Sequence, residues 1–131
     1  MLKFDFLKSI YPLILLSVAI AAFAQVALKA GMSSPSVQQA IEEGGLRASA
    51  LLQISANPYI ILGLFLYFSS AAVWLFVLAR VQVSFAYPFV ALGFILTALL
   101  GKFAFNDTFS VPKIVGSLLV VAGVLVMARS A

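Results

Sequence analysis

The residues that could do chemistry in this chain are few, and most of them lie within long apolar stretches. Ser17, Ala21, Gln25 and Lys29 recur at four-residue spacing and therefore share one face of a helix. An amide and an ammonium group are costly in hydrocarbon, so we expect this face to turn toward the protein interior. The alternative is that Gln25 only bonds a neighbouring helix and that Lys29 extends to the lipid headgroups.

A second group of polar-tipped side chains lies in another apolar stretch. Tyr67, Ser70 and Trp74 fall at positions i, i+3 and i+7, which places them on one helical face. Tyrosine and tryptophan usually lie at the two membrane interfaces, but these two lie in the middle of their stretch. The pattern favours a cavity wall; the alternative is an aromatic packing stripe.

The side chains present do not support catalysis. The chain has no cysteine and no histidine, and its four acidic residues all lie outside the apolar stretches. Thiol chemistry and the common zinc and haem ligand sets are therefore excluded, and neither a carboxylate pair nor an intramembrane proton relay is in evidence. We predict no catalytic residue, no metal site and no cofactor, and expect that the protein is not an enzyme.

Composition gives the class of protein. Of the 131 residues, 64% are hydrophobic and only 9% are charged, against roughly 25% charged residues in soluble domains. The sequence therefore predicts a membrane protein. The net charge of +4 comes from scattered Lys and Arg beside the apolar stretches, which fit anionic lipid headgroups better than nucleic acid.

The apolar stretches predict an all-α, integral membrane bundle of four transmembrane helices in a single domain. Their lengths place the spans at about residues 10–30, 58–79, 83–104 and 111–128. Ala22-Phe23-Ala24 also imitates a signal-peptide cleavage site, but the apolar stretch continues to Leu28, which favours a retained span. Residues 32–56 form a polar, interfacial loop with two short helices, which is either a tether or a lid.

The third span carries Tyr87-Pro88 near its start and Gly93 near its middle. Proline lacks a backbone donor and clashes with the carbonyl of Ser84, so we predict a helix break at Pro88, with Gly93 adding flexibility. Freed backbone groups are tolerated in hydrocarbon only where protein or water satisfies them. We therefore expect this span to line a cavity.

The fourth span carries Gly116 and Gly123, which are seven residues apart and form a smooth strip. Small residues permit close helix contact in membranes, so we predict a dimer interface here.

Orientation cannot be assigned from Lys and Arg, because the count is balanced. The two sides hold Lys3, Lys8, Arg80 and Arg129 against Lys29, Arg47, Lys102 and Lys113.

Three sequence features carry a family resemblance: the stretch VWLFVLARVQVSFAYPFVALGFILTALLG (73–101), the stretch GSLLVVAGVLVM (116–127), and Gln25-x-x-x-Lys29. They resemble the subunits of the 4-amino-4-deoxy-arabinose undecaprenyl-phosphate flippase. That family is part of the drug/metabolite transporter superfamily of EamA-like proteins, which includes the small multidrug resistance exporters. The resemblance covers the four spans and omits residues 32–56. One departure is Gly93, where the flippase family commonly has asparagine.

The resemblance implies a small-multidrug-resistance-like fold and a flippase in the bacterial inner membrane that moves a polyprenyl-phosphate-linked (amino)sugar. It also implies a homodimer, or a heterodimer with a similar four-span chain. The multidrug exporters depend on a glutamate in the first span. When the first span of this chain is aligned with theirs at Lys29, Ala21 occupies the position of that glutamate. Cation export by that mechanism is therefore disfavoured, whereas a lone Lys29 favours an anionic group such as phosphate.

On this hypothesis Lys29 holds the phosphate, and Gln25 and Tyr67 bond sugar or phosphate oxygens. Trp74 and Tyr87 form walls of the cavity. Two alternatives remain: an exporter of amphiphilic molecules, and an accessory subunit of a membrane glycosyltransferase that itself transports nothing.

Overall fold

The computed structural model of the protein describes residues 2–129, without the side chains of residues 2–4, 6 and 7. Lys3, which entered the charge count, is one of these residues. The described chain is helical throughout, apart from short turns. The elements are α1 (Leu2–Met32), α2 (Pro35–Gly44), α3 (Ala48–Ala56), α4 (Pro58–Leu78), α5 (Val83–Ala86), a 3-10 turn (Tyr87–Phe89), α6 (Val90–Phe105) and α7 (Val111–Ala128).

Four helical stretches within residues 2–129 are long and apolar enough to cross a membrane. They are Lys8–Met32, Pro58–Leu78, Val83–Phe105 and Val111–Ala128. The predicted fold class, an all-α bundle of four membrane helices, is confirmed. The chain is a multi-pass membrane protein.

Helices α1 and α4 form the closest helix pair, and glycines allow their approach. A Cβ atom on Gly63 would lie 2.7 Å from Cγ of Leu28, and one on Gly31 would clash with the side chain of Ile60. Small residues let helix backbones approach closely in membranes. The two helices run antiparallel, since the C-terminal part of α1 faces the N-terminal part of α4.

The other end of α1 packs against the start of the third span through an aromatic cluster. The rings of Tyr11, Phe85 and Phe89 lie with centroids 5.4 to 6.2 Å apart in tilted or edge-on pairs. Phe85 and Phe89 are buried, together with Ile14 and Val77. This cluster fixes α5 and the 3-10 turn against α1.

The connection between α1 and α4 is tied together by Asn57. Its side-chain oxygen accepts hydrogen bonds from the backbone N–H groups of Tyr59 and Ile60, which caps α4. Its amide nitrogen donates to the hydroxyl of Ser34 at 3.1 Å. The connection between α1 and α4 therefore begins and ends beside the contact between these two helices.

The third span is interrupted at the predicted proline. Residues 87–89 form a 3-10 turn around Pro88, yet Tyr87 (φ −61°, ψ −39°) and Phe89 (φ −65°, ψ −23°) remain in the right-handed helical region. The span therefore changes its hydrogen-bonding pattern without a sharp reversal. Gly93 lies inside the uninterrupted helix α6, so the helix is not broken at this residue, and the flexibility expected of it stays a prediction. A Cβ atom at Gly93 would lie 2.9 Å from Cγ1 of Val18. The absence of a side chain at Gly93 therefore lets α1 pack closely against α6.

Helix α7 lies at the edge of the bundle. Val124 is its buried residue, whereas Gly116 and Gly123 are exposed. Apart from the adjacent residues and the backbone of α7 itself, no described atom lies within 4 Å of a Cβ built on either glycine. The predicted dimer interface on this helix stays a prediction.

Candidate functional site

A cavity of about 510 Å³ lies between α1, α4 and α6. Each of the three helices contributes one face, and both apolar and polar side chains line the cavity. Gln25, Tyr67 and Phe94 are exposed, so the cavity reaches the surface of the bundle. The lining residues are Ser17, Val18, Ala21, Ala22, Gln25, Tyr67, Ser70, Trp74, Val90, Gly93, Phe94 and Thr97.

The predicted polar face of α1 meets the predicted polar face of α4 in this cavity. The hydroxyl of Ser17 donates to the backbone carbonyl of Ser70 at 2.9 Å, and the hydroxyl of Ser70 donates to the carbonyl of Ser17 at 2.9 Å. Both serines are buried. This reciprocal pair links the two helices and satisfies both hydroxyl groups within hydrocarbon depth.

Gln25 and Tyr67 make a second, looser link across the cavity. The amide nitrogen of Gln25 donates to the Tyr67 hydroxyl at 3.4 Å, a distance beyond the usual range of about 2.7–3.2 Å for N–H···O bonds. Tyr67 is 45% exposed. Such a bond can exchange with a ligand at little cost, and it leaves the carbonyl oxygen of Gln25 free to accept.

Trp74 lines the same cavity and is half-buried. Its indole N–H makes no hydrogen bond with another described residue, so it is available to a ligand. Tyr67 and Trp74 thus both line the cavity between α1, α4 and α6.

Lys29 does not line the cavity. It is exposed in the last turn of α1, one turn beyond Gln25 and about 6 Å further along the helix axis. Its ammonium group pairs with no other residue among those described. Lys29 therefore lies beside the cavity at its Gln25 end, and not within it.

Tyr87, which we expected to form a wall, is not among the residues that line this cavity. It is 63% exposed, because its neighbours Phe85 and Phe89 are both buried against Tyr11. A residue two positions from each of them points roughly 200° away on the helix. The wall contributed by the third span begins one turn later, at Val90.

The sequence predicted that the third span lines a cavity, but it did not predict which of its residues form the wall. Val90, Gly93, Phe94 and Thr97 line the cavity at the spacing of one helical face. The Thr97 hydroxyl donates to the carbonyl of Gly93 at 2.8 Å, so it is satisfied within its own helix. Thr97 is a polar residue one turn from Gly93, and that spacing was the signal available in the sequence.

The described lining residues carry hydroxyl, amide, phenol and indole groups but no charged group. They can donate and accept hydrogen bonds, and they can stack against an apolar face.

Similarity to a relative from Pseudomonas fluorescens shows to which family this chain belongs. It is 32% identical over 119 residues, which cover 91% of this chain and 96% of the relative, and it is named a probable 4-amino-4-deoxy-L-arabinose-phosphoundecaprenol flippase subunit ArnE. This chain belongs to the ArnE family. The resemblance identified in the sequence is thereby confirmed.

Two further ArnE relatives match over shorter stretches. One from another strain of Pseudomonas fluorescens is 38% identical over 73 residues, 56% of this chain and 64% of the relative. One from Pseudomonas aeruginosa is 45% identical over 58 residues, 44% of this chain and 50% of the relative. In these two alignments the chain spans about half to two thirds of the ArnE relative. No family model and no solved structure matches the chain.

Proposed function

We propose that this protein is a flippase subunit that moves a polyprenyl-phosphate-linked (amino)sugar across the bacterial inner membrane. Its membership of the ArnE family, through a 32% identical relative aligned over 91% of the chain, carries the proposal. The cavity between α1, α4 and α6 supports it, since hydrogen-bonding groups line it between three long apolar helices.

The cavity lowers the main barrier to flipping. Each polar group that enters hydrocarbon without a hydrogen bond costs several kcal/mol, at about 2–7 per hydroxyl or amide. Gln25, Tyr67 and Trp74 offer hydrogen-bonding groups to the sugar hydroxyls during the crossing. The prenyl tail stays in the lipid, because it gains nothing from leaving it.

Lys29 is suited to hold the phosphate at the cavity mouth. Its ammonium is a compact charge with three donors, and it lies one helical turn from Gln25. A phosphate at Lys29 and a sugar beside Gln25 are then neighbours, as they are in a sugar phosphate. The sugar enters the cavity while the phosphate remains near the headgroup region.

Movement of the cargo requires that the cavity change sides. The 3-10 turn at residues 87–89 is the interruption about which α6 can tilt relative to α5. The exposed face of α7 pairs with a second four-span chain, identical or similar. The protein transports its cargo without changing it covalently.

The proposal is tested in liposomes that contain the purified protein with any chain that co-purifies. The measurement is the rate at which a fluorescent undecaprenyl-phosphate sugar becomes accessible from the opposite leaflet. We expect acceleration by the wild type, and a roughly tenfold or greater loss in Lys29→Ala, since a hydrogen bond to a charged group contributes about 1.5–3 kcal/mol. Lys29→Arg, which keeps the charge, should retain most of the rate.

Two outcomes contradict the proposal. Absence of acceleration by the wild type would favour the accessory role, in which the chain stabilises another membrane protein and transports nothing. An unchanged rate in Lys29→Ala would show that the phosphate is held elsewhere.

A further inference from the structure

We propose that α3 binds the lipid surface of the membrane, with one side in the headgroup layer and the opposite side, toward α2, in water. The partner of the segment between α1 and α4 is then the bilayer itself. This binding does not depend on which cargo the protein moves, and so it goes beyond the proposed function.

Helix α3 has a buried side and an exposed, largely apolar side. Ala50 is buried and Ile54, one turn later, is half-buried, so these two residues mark the inner side. The outer side, here called the leucine face, consists of exposed residues: Ala48, Leu51, Leu52 and Ser55. Leu51 and Leu52 are 57% and 68% exposed, and Leu46 in the turn before the helix is 79% exposed. Neighbouring exposed apolar residues of this kind mark a contact with a membrane or with another protein.

The other groups on this side of α3 favour lipid as the partner. The hydroxyl of Ser55 donates to the backbone carbonyl of Leu52 at 3.0 Å, so the polar side chain of the leucine face is satisfied within its own helix. Arg47 is exposed and lies at the N-terminus of α3, one turn before Leu51. A guanidinium beside leucines is typical of helices at the membrane surface, where it bonds the phosphates of anionic lipids.

The position of α3 in the chain brings the leucine face to the depth of the headgroups. The helix ends at Ala56, and Asn57 then caps α4, whose residues Pro58–Leu78 form a membrane-spanning stretch. Leu52 precedes Asn57 by five residues, which is about 8 Å along a helix, and the headgroup layer of one leaflet is about 5–8 Å thick. Tyr59 in the first turn of α4 is exposed, as is usual for tyrosine at this level. The bilayer is therefore the apolar phase nearest to these leucines.

Helix α2 has the opposite character. Its exposed side chains include two amides and two carboxylates, those of Gln38, Gln39, Glu42 and Glu43. Carboxylates in the headgroup layer would lose hydration and would be repelled by anionic lipids. A polar cleft of about 200 Å³ lies between α2 and α3, and Glu43 and Gln53 both line it. Helix α2 and this cleft therefore face water, while the leucine face meets the lipid.

Spin labels can distinguish the two sides of α3. Because the chain has no cysteine, a single introduced cysteine takes up a nitroxide label at one known position. Leu51→Cys and Gln53→Cys carry the label on opposite sides of the helix, about 200° apart. Both positions are exposed, so the substitutions leave the buried packing intact. Each variant is placed in nanodiscs that contain anionic phospholipid, where both faces of the membrane meet the solvent.

The measurement is the collision rate of each label with oxygen, which concentrates in lipid, and with a polar nickel chelate, which stays in water. We expect the ratio of oxygen to nickel collisions to be at least about tenfold higher in Leu51→Cys than in Gln53→Cys, because a polar solute is excluded from the apolar part of the bilayer. Glu42→Cys on α2 is the second control and should give the same low ratio as Gln53→Cys.

Two results would overturn the proposal. Equal, low ratios in all three variants would show that the leucine face lies in water, where a protein partner could cover it. Equal, high ratios would show that α2 is embedded in lipid together with α3. The cargo takes no part in these collisions, so failure of the proposed function would leave the expected ratios unchanged.

Discussion

Two polar links join α1 to α4, and they differ in burial. The bonds between Ser17 and Ser70 are buried and reciprocal, each with a donor–acceptor distance of 2.9 Å. The bond between Gln25 and Tyr67 is exposed and 3.4 Å long. The first link therefore holds the helix pair together, and the second is free to open toward a ligand.

Replacement of Ser17 by alanine should reduce stability without removing the cavity. The change leaves the Ser70 carbonyl without its interhelical donor, and interhelical hydrogen bonds in membranes contribute about 0.6 kcal/mol on average, with a maximum of about 1.7. We expect a loss of about 1 kcal/mol in the free energy of unfolding, measured by denaturation in mixed detergent micelles. Ser69→Ala is the control, since its hydroxyl bonds Phe65 in its own helix. Equal losses in both variants would contradict an interhelical role.

At the scale of the helices, the close packing of α1 against α4 depends on the absence of a side chain at Gly63. A Cβ there would lie 2.7 Å from Cγ and 3.0 Å from the backbone nitrogen of Leu28. Because a backbone atom cannot move aside as a side chain can, the helices would have to separate.

Gly63→Ala should therefore destabilise the bundle by about 1–3 kcal/mol, the usual cost of overpacking. Gly116→Ala is the matched control, because no described atom outside the adjacent residues and the α7 backbone lies within 4 Å of a Cβ at that position. Thermal unfolding of both variants in the same detergent tests the difference. A Gly63→Ala protein as stable as the control would mean that α1 and α4 are further apart.

The helices themselves were largely predictable from sequence, because apolar length determines which segments can cross a membrane. The break at Pro88 was also predictable, since a proline lacks a backbone donor. The exposure of Tyr87 was not predictable, because it depends on the burial of Phe85 and Phe89 against Tyr11. The contact of Gly93 with Val18 depends on tertiary packing in the same way.

The sequence predicted that all three spans line a cavity, but it predicted the lining residues only for α1 and α4. The polar faces of α1 and α4 carry glutamine, tyrosine and tryptophan, which are conspicuous within apolar stretches. The α6 wall is mostly apolar, and its residues differ little from those that face lipid. Only the packed structure distinguishes them.

At the scale of the whole molecule, the exposed face of α7 is the surface available for a second chain. Gly123→Leu should leave the fold of one chain intact, since no described atom outside the adjacent residues and the α7 backbone lies within 4 Å of a Cβ at this exposed position. It should abolish dimerisation by holding two α7 helices apart.

Single-molecule photobleaching of labelled protein in liposomes measures this effect. Val121→Leu, which lies about 200° away on the same helix, is the control and should remain dimeric. An unchanged dimer in Gly123→Leu would place the interface on another face.

If the cargo crosses the membrane through the cavity between α1, α4 and α6, a side chain that fills this cavity should block transport. Ala21→Phe places a ring in the cavity, whereas Leu15→Phe adds a similar volume at an exposed position of the same helix that does not line it. Both variants are compared with the wild type in the liposome flipping assay. We expect Leu15→Phe to flip the lipid-linked sugar at nearly the wild-type rate and Ala21→Phe to lose most of it. Wild-type flipping by a correctly folded Ala21→Phe protein would contradict crossing through this cavity.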